Sequence, residues 1–221
     1  MKILAIETST EACSAAIGIG DTVIHRFELA PRRHTELILP MIDELMSEAG
    51  LHLVQLDLLA YGRGPGAFTG IRIGTGLVQG MALASDLPVA QISTLAAMAQ
   101  GCWREKHSRK ILSLIDARMN EVYWGYFLRE DGGMKRVLEE GICKPDEVPL
   151  VDGDWTVTAS GWKNHAPILE QHLADFVNSI EPDRYPNAMD IVPLAKQQFD
   201  QGEIVSADRI SPVYLRDQVT S

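Results

Sequence analysis

A short apolar run that ends on a carboxylate, turns through polar residues and returns as a second strand occurs twice in this chain. Ile3 to Ile6 leads into Glu7, then Thr8-Ser9-Thr10, then the small apolar stretch Ala12 to Ile19. Ile111 to Ile115 leads into Asp116, then the polar stretch Ala117 to Glu121, then Val122 to Leu128. Setting Glu7 on Asp116 brings both strand pairs into step. Self-similarity of this kind points to two related lobes in one chain, and 221 residues suffice for two small ones. The boundaries it predicts are a first lobe over 1–105 and a second over 106–204. A tail over 205–221 folds back on the first lobe, because Ile210, Val213, Tyr214 and Leu215 need burial.

The sequence between these landmarks reads as mixed α/β. Thr22 to Leu29 adds a third strand to the first pair, making an antiparallel meander. A helix is expected from Thr35 to Ala49, with Thr35 as its cap and Gly50 as a left-handed stop; Pro40 should kink it or loosen its first turn. Further elements are expected as a strand at Leu56 to Gly62, a helix at Ile71 to Ser85, a strand at Val89 to Ile92 and a helix at Thr94 to Trp103. After the second hairpin come a turn at Asp131-Gly132-Gly133, a strand at Trp155 to Ser160 and mostly helical sequence from Ala166 to Gln201. The fold class is α/β, with mixed sheets flanked by helices.

The most specific segment is Gly62-Arg63-Gly64-Pro65-Gly66-Ala67-Phe68-Thr69-Gly70-Ile71-Arg72-Ile73-Gly74, between a buried strand and a helix. Glycines there permit positive φ and close backbone approach, and the amides of a following helix can face an anion. The segment is neither a Walker A loop nor a dinucleotide fingerprint, because the Gly-Lys-Ser/Thr and the Gly-x-Gly-x-x-Gly spacing with its acidic partner are both missing. A tight structural turn explains it equally well. Glu7-Thr8-Ser9 has a similar double reading: a carboxylate beside hydroxyls that could hold phosphate and a hydrated cation, or a polar turn closed by its own side chains. On the phosphate reading the proximal residues are Glu7, Thr8, Ser9, Gly64, Gly66 and Asp116; Asp116 serves equally well as a turn residue. His34 stands where a helical metal pair would begin, but the i+4 position is Ile38, so the pair is incomplete and His34 reads as a surface or capping residue. No metal site and no catalytic residue are expected.

Charge and cysteine usage narrow the function further. The net charge is −10 and the isoelectric point about 5.0, a poor basis for autonomous binding to a phosphate backbone. The basic clusters Arg32-Arg33-His34 and Arg104 to Lys110 read as solvated surface. Cys13, Cys102 and Cys143 are too scattered for a disulfide framework or a zinc knuckle and read as free thiols in a reducing compartment. Glu7 and Glu11 interrupt the apolar N-terminus, so it does not read as a signal peptide, and no stretch reaches membrane-spanning length without charge. A cytoplasmic location with no membrane association is expected.

Taken together, ILAIETSTEACSAA, HTELILPMIDEL, GRGPGAFTGIRIGTGLVQGMALA and IDARMNEVYWGYF resemble the TsaB (YeaZ) family. The resemblance runs in order from Met1 to about Leu128 and returns at the ending SPVYLRD. It implies the two-lobed actin-like ATPase fold and a non-catalytic scaffold or activator subunit. The partners implied are a TsaD-like catalytic paralogue and a TsaE-like ATPase, with a homodimer when the chain is alone. Such complexes transfer a threonylcarbamoyl group from threonylcarbamoyl-AMP to N6 of the adenosine 3′ to the anticodon, in tRNAs reading codons that start with adenine. The chain would meet tRNA only through the complex. It would hold no cofactor by itself, with ATP or ADP at a joint interface. TsaD-type chains carry His-x-x-x-His on the equivalent helix; this chain has His34 and Ile38. Two competing readings are an independent small-molecule kinase or ATPase of the same fold and a peptidase. The kinase would need a second glycine-rich loop after Asp116, which Ala117-Arg118-Met119 does not supply. The peptidase would need a complete metal site or an activated nucleophile.

The expected partner surface combines two helices. From Ile73 to Ser85 there is no charged residue, and Gly76, Gly80 and Ala84 recur at every fourth position, where small residues admit another helix. Ile73, Leu77 and Met81 flank them. Ile38, Met41, Ile42 and Leu45 belong to an apolar arc on the other helix that is wider than one sheet contact requires; the alternative is that the two helices cover each other within the lobe.

Overall fold

The computed structural model describes residues 1–130 and 133–216. The elements in chain order are β1 (Lys2–Glu7), β2 (Ala12–Ile19), β3 (Thr22–Leu29), α1 (His34–Ala49), β4 (Leu58–Gly62), α2 (Phe68–Ser85), β5 (Val89–Ile92) and α3 (Thr94–Lys106). They continue with β6 (Lys110–Arg118), β7 (Glu121–Glu130), β8 (Gly133–Arg136), β9 (Gly141–Cys143), β10 (Trp155–Ser160), α4 (Ala166–Leu173), β11 (Val177–Glu181) and α5 (Ala188–Gln201). The described residues divide into two compact units, Met1–Ala97 with Pro186–Val213, and Met98–Tyr185 with residues 214–216.

The repeat seen in the sequence is a repeat of topology. The first sheet runs β3-β2-β1-β4-β5 and the second β8-β7-β6-β10-β11, with β9 added beside β7. In each, a meander of antiparallel strands is extended on the far side by two parallel ones: β1 pairs with β4 and β4 with β5, β6 with β10 and β10 with β11. The apolar composition of β1 follows from its place at the centre of the first sheet, where Ile3, Leu4, Ala5 and Ile6 are all buried. One face of that sheet, through Leu4, Ile6, Ala15, Ile17, Leu59 and Tyr61, packs on residues of α1 and α2. The small residues of β2 let α5 approach: a Cβ on Gly18 would lie 2.5 Å from Val192, and Ser14 Oγ accepts the first amide of α5 at 2.9 Å. The core of the second unit gathers Leu112, Leu114, Tyr126, Trp155, Val157, Trp162 and Leu169. Tyr126 and Trp155 pack edge to face with centroids 4.8 Å apart.

Several expectations need correction. α5 belongs to the first unit, although its place in the chain suggested the second lobe. Of the described tail, residues 214–216 belong to the second unit; only the earlier part joins the first, with Ile210 in the core. The stretch 166–201 is mostly helical, as α4 and α5, but Val177–Glu181, not expected as a strand, forms edge strand β11; its exposed Asn178 and Ser179 hid the alternation. Thr35 does not cap α1. The helix starts one residue earlier, with Arg33 at the cap position and no side-chain cap, and runs on through an exposed Pro40. Gly50 does end it in the left-handed conformation, φ 62°. α2 starts at Phe68, within the glycine-rich segment. The expected turn at Asp131-Gly132 lies outside the described residues. Among those described, no helix is long and apolar enough to cross a membrane.

Candidate functional site

The polar turn after β1 and the glycine-rich segment after β4 form one interlocked body. Glu7, Thr8, Ser9 and Thr10 are all buried. Glu7 Oε1 accepts the Ser9 amide at 2.6 Å. Thr8 Oγ1 donates to the Gly70 carbonyl at 2.7 Å, Ser9 Oγ donates to the Gly62 carbonyl at 3.2 Å, and the Ala67 amide donates to the Ser9 carbonyl at 2.7 Å. The glycines are what permit this approach. A Cβ on Gly62 would overlap the Glu7 carboxyl, one on Gly66 the Ser9 carbonyl, and one on Gly70 the Thr8 carbonyl. Gly64, at φ +102°, accepts the Thr94 amide on its carbonyl at 3.0 Å.

Burial dominates the chemistry of Glu7. It raises the carboxyl to about 7, against hydrogen bonds from Ser9 and Thr8 that act in the other direction. Oε2 is buried with no hydrogen-bond partner among the described residues. The Glu7, Thr8 and Ser9 side chains are therefore engaged inside the unit. Thr8 and Ser9 donate to the Gly70 and Gly62 carbonyls, the Ala67 amide is taken up by Ser9, and Glu7 is enclosed. The Glu7, Thr8 and Ser9 side chains thus close the polar turn on itself and on the glycine-rich segment.

Asp116 lies two residues before the end of β6 in the second unit and is built differently. Its Oδ1 accepts the Arg118 amide at 2.8 Å, its Oδ2 accepts Asn164 Nδ2 at 2.7 Å, and His165 Nε2 lies 3.3 Å from Oδ1. Burial is the largest single influence on its acidity and acts upward. The Arg118, Asn164 and His165 contacts together outweigh it and hold the carboxyl below its ordinary value. Gly161, at φ +69°, gives the carboxylate room, since a Cβ there would stand 2.7 Å from Asp116 Cβ. Arg118, Met119 and Asn120 at the hairpin tip all have positive φ. Arg216 clamps that tip through the Ala117 carbonyl at 2.8 Å and the Glu121 carboxylate at 2.5 Å.

His34 is not a surface residue. Its ring is buried, with Nε2 2.8 Å from the Thr10 carbonyl and 3.2 Å from that of Ala12, and it ties the start of α1 to the β1–β2 turn. Within the basic clusters Arg33 pairs with Glu28 and Glu36 and Arg104 with Glu105, while Arg109 donates to the Arg129 carbonyl.

The expected partner surface divides. Ile38, Met41, Ile42 and Leu45 are core residues of the first unit, so the α1 half of that expectation is overturned: the wide apolar arc is taken up inside the unit. Ile73, Leu77 and Met81 are half-buried against the same core. Gly76, Gly80 and Ala84 do face outward, with nothing within 4 Å of a Cβ built on either glycine. Two large side chains join that face: Phe68, 55% exposed with Arg72 stacked 3.7 Å from its ring centroid, and Leu83, 69% exposed. Sequence reasoning missed both. Leu83 lies seven residues from Gly76, two turns along the same face, and that periodicity was the available signal.

Residues 26–217 match the family model described as TsaD: tRNA N6-adenosine threonylcarbamoyltransferase. The chain is 43% identical to the tRNA threonylcarbamoyladenosine biosynthesis protein TsaB of Escherichia coli (strain K12), over 99% of this chain and 96% of that protein. It superposes on the structure of YeaZ from Pseudomonas aeruginosa with a TM-score of 0.91 at 39% identity, covering 97% of this chain and 99% of that one. A ROK hexokinase from Thermus thermophilus, 10% identical, shares the fold with a TM-score of 0.50 over 89% of this chain and 98% of its own.

Proposed function

We propose, from the premise that this chain belongs to the TsaB family, that its part in tRNA threonylcarbamoyladenosine biosynthesis is that of a non-catalytic scaffold. It binds a TsaD-type subunit through the outer face of α2 and, when that subunit is absent, a second copy of itself through the same face. A TsaE-type ATPase completes the assembly, tRNA is met only through the complex, and any ATP or ADP sits at a joint interface.

The observation that carries this reading is the character of the α2 face. Phe68, Arg72, Gly76, Gly80, Leu83 and Ala84 share one side of the helix, and Arg72 is the single charge among them. Glycine inside a helix costs about 1 kcal/mol relative to alanine, so two exposed glycines need a compensating contact, and close helix approach supplies one. The internal use of the Thr8 and Ser9 hydroxyls supports the absence of a phosphate-transfer role, and Ile38 in the core leaves His34 without a second imidazole.

The test is Gly80→Gln and Leu83→Glu made separately, with sedimentation velocity run alone and with the TsaD-type partner. Both positions are open to solvent, so circular dichroism should remain unchanged. Association should weaken by at least about tenfold, the scale of losing a central interface contact. Undiminished association in both variants would remove this surface from consideration.

A further inference from the structure

At the C-terminal end of α2 the first unit carries a groove of about 490 Å³. Ala82, Leu83 and Leu87 line it on the helix side, and Ile204, Val205 and Ala207 on the other. The second wall is tied down. Val205 exchanges both backbone hydrogen bonds with Val89 at 2.9 Å each, and Gln79 Nε2 donates to the Ala207 carbonyl at 3.1 Å. An occupant therefore does not have to assemble the groove, which removes one of the usual costs of binding.

The polar part of the lining carries a single sign. Asp86 caps α2 in the left-handed conformation, φ 55°, and the last turn of that helix contains no basic residue. The negative end of the helix dipole and the Asp86 carboxylate thus act together. Asp208 also lines the groove and accepts a hydrogen bond from Ser206 Oγ at 2.5 Å. That bond is the main reason its carboxyl is held below the ordinary value, with Arg209 a smaller influence in the same direction. No basic side chain is among the lining residues described. Such a groove repels phosphates and acidic segments. It suits a side chain with an apolar stem and a cationic head, which is the chemistry of lysine and arginine.

We propose that this groove docks a segment of a partner protein that presents a lysine or arginine flanked by aliphatic residues. The site is distinct from the glycine face of α2 and does not depend on it: Gly76 and Gly80 take no part in its lining, and only Leu83 stands at the border of both.

Methyl-labelled full-length protein titrated with two amidated peptides tests the idea. The two peptides are short and of equal length, and they differ only in a central lysine or glutamate set between leucines. The lysine peptide should shift the methyl signals of Leu83, Leu87, Ile204 and Val205, and the glutamate peptide should not. Combining Asp86→Asn with Asp208→Asn should weaken the lysine peptide on the order of tenfold. The pair should still fold, because asparagine tolerates the left-handed conformation and keeps an acceptor for Ser206. Gly80→Gln should leave peptide binding unchanged, so a failure of the glycine face and a failure of the groove give different results. The proposal is overturned if the groove methyls do not move, if the glutamate peptide binds equally well, if the double variant keeps full affinity, or if Gly80→Gln abolishes binding.

Discussion

The turns that follow β1 and β6 start from one plan. In each, a carboxylate at or near the end of the first strand accepts the backbone amide two residues on, Ser9 for Glu7 and Arg118 for Asp116. In each, a glycine at the end of the neighbouring parallel strand makes room for the acid, Gly62 as the last residue of β4 and Gly161 just after β10. What differs is the lid. In the first unit a long glycine-rich segment lies over the turn, makes backbone contacts with it and buries Glu7 completely. In the second, the polar side chains Asn164 and His165 close in on a carboxylate that stays 13% exposed. One acid is pushed toward neutrality by burial and the other is kept ionised by its donors. The identity of the acid does not fix its chemistry; the covering segment does.

The two lids can be broken separately. Gly70→Ala drives a Cβ into the Thr8 carbonyl, where neither backbone can yield, and should cost on the order of 4 kcal/mol or prevent folding. Gly161→Ala meets Asp116 Cβ at 2.7 Å in a left-handed conformation and should cost less, about 2 kcal/mol. Denaturant midpoints of the two variants compare them directly, and a larger loss at Gly161 would invert the argument.

The acids should respond oppositely to pH. Glu7 is raised from 4.5 to about 7, so the folded state holds its proton more tightly than the unfolded one. The stability this gives is fully present below about pH 4.5 and is lost as pH rises through about 7. Glu7→Gln keeps the acceptor for Ser9 and removes the ionisation. Above pH 7 it should stabilise the protein by up to about 3 kcal/mol and flatten the profile between those values. Asp116 is lowered, so its contribution is present above its unfolded value of 3.8 and disappears as pH falls through the folded one. Asp116→Asn should therefore destabilise at neutral pH and matter little in strong acid. Urea titrations at several pH values would show both trends, and parallel curves for the two variants would refute the contrast.

The smallest effect belongs to the exposed glycines. Gly76→Ala and Gly80→Ala meet nothing within 4 Å and should each raise stability by about 1 kcal/mol. A rise in melting temperature accompanied by weaker association would mark these glycines as kept for a contact outside the chain. A fall in stability would mean that they pack within it.

Much of this was legible from the residues. The hairpins, the acids that end their first strands and the glycine-rich link are local patterns, and period, turn chemistry and glycine spacing report them faithfully. The failures share one cause, which is that a side chain's destination depends on distant chain. The breadth of the apolar arc at Ile38, Met41, Ile42 and Leu45 does not reveal that one core takes all of it. Nor does His34 reveal that two carbonyls of another turn will receive its ring. β11 was hidden because an edge strand with Asn178 and Ser179 outward carries little of the alternation that identifies strands. The glycine-rich segment was found for the right physical property, close backbone approach, but what approaches it is the chain's own Thr8 and Ser9.

The membership of α5 in the first unit bears on how the protein is made. A ribosome delivers the five strands of that sheet within the first 92 residues, yet the helix that covers the face carrying Gly18 and Ser14 emerges only with residues 188–201. For the whole interval in which the second unit is synthesised, the nascent first half has an uncovered face lined by small residues. The first unit can be completed only once nearly the entire chain has been translated, so folding is constrained to finish late, and the interval before it is when the nascent chain is most exposed to misassociation and to the chaperones that prevent it.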